Sequence, residues 1–141
     1  SGMMAASLMG ATAFQKGLGA MHSMAHVIGA RLNAHHGLIN AIVMPYVLMA
    51  NRSALSDRFD HLSRALDLPS TGFEGVLHWV LALREDLEIP HTLAAIGVTH
   101  AHIPDFAPAA VLAPGTGSNP LPFGEDEFKL MFSRCIDGSL T

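Results

Sequence analysis

The chain has 141 residues and a net charge of −4 from 12 acids and 8 bases, a length that forms one domain with a real core and a charge that offers no basic footprint for nucleic acid or anionic lipid. Half of the residues are apolar and only 14% are charged, against about 25% in an ordinary soluble domain, which excludes disorder and a fibrous chain. Its single cysteine, Cys135, can build neither a disulfide framework nor a cysteine-based zinc site, which fits a reducing, cytoplasmic setting.

Charge is unevenly spread. From Ser1 to Ser56 the only charged side chains are Lys16, Arg31 and Arg52, and no acid precedes Asp57, so this stretch is expected to be mostly interior. Its longest apolar runs, 3–14 and 38–50, are interrupted by polar residues, Gly or Pro. Both fall short of the roughly 20 residues a membrane span needs, so no membrane partner is expected. The small, apolar opening lacks the basic segment of a secretory signal and reads as an internal segment or a processed end. So hydrophobic a chain is expected to pack against something larger, or against copies of itself as a homo-oligomer, through an exposed apolar face.

Met3 to Phe14, rich in Ala, Met and Leu, predicts a helix that ends at Gly17-Leu18-Gly19. A second helix follows over 20–32. After the polar bend 33–36 and Gly37, the segment 38–51 is apolar on every side and predicts a buried helix bent at Pro45. Ser53 or Ser56 caps an amphipathic helix over 57–68, with Phe59, Leu62, Ala65 and Leu66 inward, and Pro69 stops it. Residues 73–87 repeat the pattern with Phe73, Val76, Leu77, Val80, Leu81, Ala82 and Leu83 inward, up to Pro90. Short helices at 92–97 and 104–112, a Pro/Gly-rich loop at 113–124 and a last helix at 125–136, acidic in its first turn, complete the chain. No segment alternates with period two for long enough to predict a strand. The expected fold is all-α, a layered multi-helix bundle in one domain over 1–141.

The chemistry sits in GLGAMHSMAHVIGARLNAHHGLINAIVMPY. His22 and His26, four apart, share one helix face, and His36 follows a turn that can fold it back beside them. Imidazoles suit Zn, Fe, Cu or Ni. Spacing alone also fits hydrogen-bonded core histidines, because the pattern lacks the Glu of the zinc-protease helix motif. With no carboxylate before Asp57, an iron site would have to recruit its acid from a distant helix or from outside the chain.

Gly17-Leu18-Gly19, His22, Ala25-His26, Gly29, His36-Gly37, Asn40-Ala41 and Pro45 together resemble the signature of the iron-containing (group III) alcohol dehydrogenases. The resemblance continues through Ile89-Pro90, Leu93 to Gly97, Thr116-Gly117-Ser118-Asn119-Pro120 and the final helix. It implies the helical, carboxy-terminal, dehydroquinate-synthase-like half of such an enzyme. The dinucleotide-binding domain, with its Gly-rich turn, and the Asp-x-x-x-His pair that supplies the first two ligands in that family are absent from this sequence.

Carried over, the resemblance makes His22 and His36 ligands of a divalent iron, with zinc fitting the same donors. His26 is placed beside metal and nicotinamide in a proton relay. His35, where the family often has Pro, competes with His36, but only His36 lies fourteen positions after His22. The implied reaction is hydride transfer between a small alcohol or aldehyde and NAD or NADP, held mainly by the missing domain. The metal lowers the alcohol's pKa as a Lewis acid, and Phe14, Met21 and Ile39 are expected to keep water out. The loop 115–120 is implied to shape the substrate pocket. The fragment alone is expected to be inactive. A stand-alone histidine metal module, a non-catalytic assembly domain and a maleylacetate-reductase-like branch are the alternatives. His61 and His78 are expected on the surface, His91, His100 and His102 in loops, Tyr46 and Trp79 in core or interface, and Cys135 inert.

Overall fold

The computed structural model describes residues 2–140. Among these there are seven α-helices and no strand. They are α1 (Gly2–Ala13), α2 (Ala20–Leu32), α3 (His36–Ala50), α4 (Ser56–Ala65), α5 (Gly72–Asp86), α6 (Ile103–Val111) and α7 (Glu125–Asp137). Short 3-10 turns lie at Phe14–Lys16, Arg52–Ala54, Leu93–Ile96, His100–His102 and Thr116–Ser118.

The apolar helix α3 is the axis of the molecule. One side of it, through Ile39, Ile42, Val43 and Tyr46, enters a core shared with α2, α6 and α7, whose centre holds Met24, Ile28, Phe106, Phe128 and Phe132. Its other side, through Met44, Leu48 and Met49, closes a smaller core made by Phe59, Phe73, Val76, Leu77 and Val80 of α4 and α5. Two cores on opposite flanks explain a sequence that is apolar all round. Pro45 lies fully buried within the continuous helix. Tyr46 is anchored by its hydroxyl, which donates to the His91 carbonyl at 2.6 Å.

Three expectations of burial need correction. The segment before Ser56 is not uniformly interior: every residue of α1 is exposed, including Met3, Met4, Leu8 and Met9 at 70% or more. None of its described residues is buried against the rest of the chain. In α4, Leu62 and Leu66 point outward and Ser63 takes the inward place with Phe59. Ser63 is buried because its hydroxyl accepts the Gly72 N–H at 2.8 Å and donates to the Asp60 carbonyl, capping the neighbouring helix. In α5 the helical period carries Arg84 inward after Val80, while Ala82 and Leu83 face out. Arg84 donates to the Pro90 carbonyl at 2.9 Å and so ties α5 to the following turn.

Helix ends follow local chemistry. Asn33 (φ 49°) ends α2, and Gly97 and Gly138, at φ 87° and 77°, close the 3-10 turn at 93–96 and α7. Glu125, Asp126 and Glu127 occupy the first turn of α7, where the helix dipole favours acids. No helix among the described residues is long and apolar enough to cross a membrane.

Candidate metal centre

His22 and His26 project from one face of α2, and the bend 33–35 returns the chain so that His36 opens α3 beside them. The ring centres of His22 and His36 are 5.5 Å apart, those of His26 and His36 5.2 Å, and those of His22 and His26 6.2 Å. The structure thus brings together all three histidines singled out in the sequence. His35 is turned away: its Nδ1 accepts the Leu38 N–H at 3.3 Å and caps α3. The doubled His-His divides the labour, one ring serving the backbone and the other facing α2.

His22 is half-buried, His26 and His36 are exposed. Burial, reinforced by the neighbouring imidazoles of His36 and His26, pulls the His22 pKa down, because a charged ring there is poorly solvated and repelled. The neutral ring keeps a lone pair, the form in which imidazole binds a metal.

Two imidazoles on one ion at about 2.1 Å per nitrogen hold their ring centres roughly 5 Å apart. The His22–His36 and His26–His36 pairs both fit that span. The His26 ring lies nearly parallel to that of His36, at 21°, stacked upon it. No acid joins them, and among the described residues no group of three or more His, Cys, Asp or Glu side chains is placed to hold an ion. The donor set therefore fits half of a cation's coordination shell.

Of the expected water-excluding wall, Phe14 sets its ring edge-on to His22 at 5.9 Å and is itself 60% exposed. Ile39 is fully buried in the main core, and Met21 packs against that core. The site is an open face.

What holds this face in shape is a hydrogen-bonded loop. The Asn119 side chain accepts the Ala20 N–H at 3.0 Å, capping α2 two residues before His22. Its amide also donates to the Asn51 Oδ1 at 2.9 Å, and the Asn51 amide donates back at 3.2 Å. Thr116 donates to the Ala110 carbonyl at 2.6 Å and lies 2.8 Å from the Ser23 hydroxyl on α2, while Ser118 donates to the Leu18 carbonyl. This close packing explains both glycines of the Gly17-Leu18-Gly19 step. Gly17 has φ 97° and a Cβ there would lie 2.5 Å from that of Ser118; at Gly19 it would lie 2.9 Å from the Asn119 Oδ1. Asn119 and Thr116 stood within a recognisable turn sequence, but nothing in the sequence marked Asn51 as the partner of the one or Ser23 of the other.

The family profile described as Fe-containing alcohol dehydrogenase family, C-terminal, matches residues 1–136. The chain belongs to this family. Among its relatives, a 4-hydroxybutyrate dehydrogenase of Cupriavidus necator is 42% identical over 106 residues, covering 69% of this chain and 27% of that protein. A 1,3-propanediol dehydrogenase of Citrobacter freundii is 33% identical over 138 residues, covering 93% of this chain and 36% of that protein. Among solved structures, that of a 1,3-propanediol oxidoreductase superposes with a TM-score of 0.79 at 28% identity, over 84% of this chain and 33% of that one. An alcohol dehydrogenase from Oenococcus oeni does so with a TM-score of 0.76 at 27% identity, over 84% and 32%. The chain thus spans about a third of the length of these iron-family proteins, and the helical fold expected from the sequence is the fold they share over this region.

Proposed function

We propose that this chain is the metal- and substrate-facing half of an NAD(P)-linked alcohol dehydrogenase, which interconverts a small alcohol and its aldehyde or ketone. The observation that carries the reading is the 5.5 Å approach of His22 and His36 across the α2–α3 bend, supported by membership of a family whose relatives include alcohol and diol dehydrogenases.

His22 and His36 would hold a divalent iron, and zinc suits the same imidazoles. A bound cation of this kind supplies Lewis acidity that lowers the pKa of an alcohol. The chain's own residues do the rest. The desolvated His22 stays neutral and available as a donor. Asn119 fixes the helix start that carries it. His26, exposed and stacked on His36, would take the alcohol proton and pass it to solvent, and a bound nicotinamide would supply the capacity to accept hydride.

The missing acid and third ring, together with the dinucleotide site, belong to a further, amino-terminal domain. The bare apolar surface of α1, with Met3, Met4, Leu8 and Met9 exposed, supports the presence of such a cover. The chain by itself should oxidise no alcohol, should bind metal weakly, and should self-associate when that cover is lacking.

The test is metal retention together with turnover in the two-domain protein. His22→Ala and His36→Ala should each lose the metal, whereas His26→Ala should keep it and turn over slowly. Metal loss in the His26 variant, or full retention in either of the others, overturns the assignment.

A further inference from the structure

α3 turns one lengthwise stripe of side chains toward α2. His36, Asn40, Val43, Val47 and Asn51 recur at steps of four, three, four and four, which places them on one face of the helix. At the start of the stripe His36 meets the rings of His22 and His26 on α2. Val43 and Val47 are buried in the core to which α2 contributes. At its end Asn51 is bonded to the Asn119 side chain that caps α2 at Ala20. Every member but Asn40 thus has a visible partner on the α2 side.

The Asn40 Oδ1 is buried and has no hydrogen-bond partner, one of two such side-chain atoms among the described residues. The other is the Nε of Arg84, whose guanidinium is tied to the Pro90 carbonyl through a second nitrogen. An amide oxygen shut off from both water and donors is costly to keep, so its place in the fold calls for an N–H. A candidate donor sits one helical turn away. The His36 ring touches the two other imidazoles and makes no hydrogen bond among the described residues. A helical side chain leans toward the helix N-terminus and covers the turn before its own Cα, so the Asn40 amide leans over the turn that carries His36. His35, the other ring at this end of α3, is already committed to the Leu38 N–H.

We propose that the Asn40 Oδ1 accepts the ring N–H of His36 when the opposite ring nitrogen binds the metal, which makes Asn40 a positioning residue for the cation site. The inference rests on the reading of His36 as a ligand. An imidazole that gives one nitrogen to a cation keeps its proton on the other. An acceptor for that proton fixes the tautomer, holds the plane of the ring and strengthens it as a donor to the metal. Hydrogen bonds of this kind tighten when the bound species arrives. No carboxylate precedes Asp57 in the sequence, and an amide oxygen does the same work without charge.

The test uses the two-domain protein that contains this chain, with cobalt(II) and zinc as probes. Competition against a chelator should show cobalt held about ten to a hundred times more weakly by Asn40→Leu than by the parent. Asn40→Asp restores an acceptor and should hold it as tightly as the parent. The metal-free Asn40→Leu protein should melt at or above the parent's temperature, because the change removes a buried acceptor that had no donor. In the zinc-loaded parent, proton magnetic resonance should show the His36 ring N–H as a slowly exchanging signal, kept in Asn40→Asp and lost in Asn40→Leu. Unchanged cobalt affinity in Asn40→Leu, or a parent ring proton that exchanges as fast as one in open solvent, overturns the proposal and leaves His36 a ligand. Stability and metal lost together, without rescue by Asn40→Asp, reduce Asn40 to packing and overturn it too. Metal loss as complete as in His36→Ala makes Asn40 a ligand instead of a support. A parent that takes up neither metal removes the ligand reading and this proposal with it. A parent that behaves as expected toward metal yet oxidises no alcohol removes the dehydrogenase reading alone.

Discussion

Asn51, at the end of α3, and Asn119, in the turn before α7, exchange side-chain hydrogen bonds in both directions, at 2.9 and 3.2 Å. They lie 68 positions apart, and Asn51 is 3% exposed. Through the same Asn119 oxygen, the Ala20 N–H at the start of α2 is satisfied. Two neutral amides thus join the beginning of α2, the end of α3 and the loop, which are the supports of the histidine face.

Asn119→Ala strips the cap from Ala20 and takes the donor from the part-buried Leu121 carbonyl, while Asn51 keeps its bonds to the Val47 carbonyl and the Leu121 N–H. An unsatisfied buried polar group costs about 1–3 kcal/mol, and a lost helix cap about 1 more. Urea unfolding should show a loss of about 2–4 kcal/mol, and amide exchange should be fastest at 20–23. A loss below half a kilocalorie would mean that water replaces the network without penalty.

Gly17→Ala meets two obstacles, its φ of 97° and the Ser118 Cβ at 2.5 Å. We expect a destabilisation of about 1–3 kcal/mol. Adding Ser118→Gly should recover the steric part but not the backbone part, so the double variant stays below the parent in stability. Gly97 is the control: it has φ 87° with open space around it, and an alanine there should cost only the backbone part.

The two adjacent histidines should separate cleanly. His35→Ala removes the cap on α3 and should lower thermal stability by about 0.5–2 kcal/mol without changing cobalt or zinc uptake in the two-domain protein. His36→Ala should do the reverse. Metal loss from the His35 variant would exchange their roles.

Asp137 on α7 accepts from His100 at 2.8 Å, and this hydrogen bond, with one from Ser133, holds its carboxyl below the ordinary range. A carboxylate depressed in the folded state stabilises the protein above the unfolded value, near 3.9. That contribution is lost as pH falls through the folded value. Asp137→Asn should therefore flatten the acid limb of the stability curve and leave it unchanged in slope between pH 5 and 7, read by thermal melts across pH.

Cys135 is fully buried, and burial pushes its thiol well above the ordinary range. The folded chain should resist iodoacetamide at pH 8 and react only when denaturant is added. Because the folded state keeps a proton that the unfolded state sheds near pH 8.5, stability should fall as pH rises beyond that point. Cys135→Ala should remove this slope.

The sequence by itself determined the helical class, most helix positions and the histidine trio, because these depend on local chemistry: helix formers, Gly and Pro as stops, and residues four apart on one face. The fourteen-position step that favoured His36 over His35 came instead from the resemblance to the iron-containing alcohol dehydrogenases. What only the tertiary structure decided depends on neighbours far along the chain. Periodicity named Leu62 and Leu83 as inward, yet Ser63 and Arg84 took those places because each found a backbone partner there. The apolar α1 looked like interior and lies exposed, since burial needs a surface to cover it and none of its described residues is covered. That the His35 ring is spent on capping α3 was visible only in the structure. The joining of Asn51 to Asn119 came from packing between segments whose separation no local pattern records.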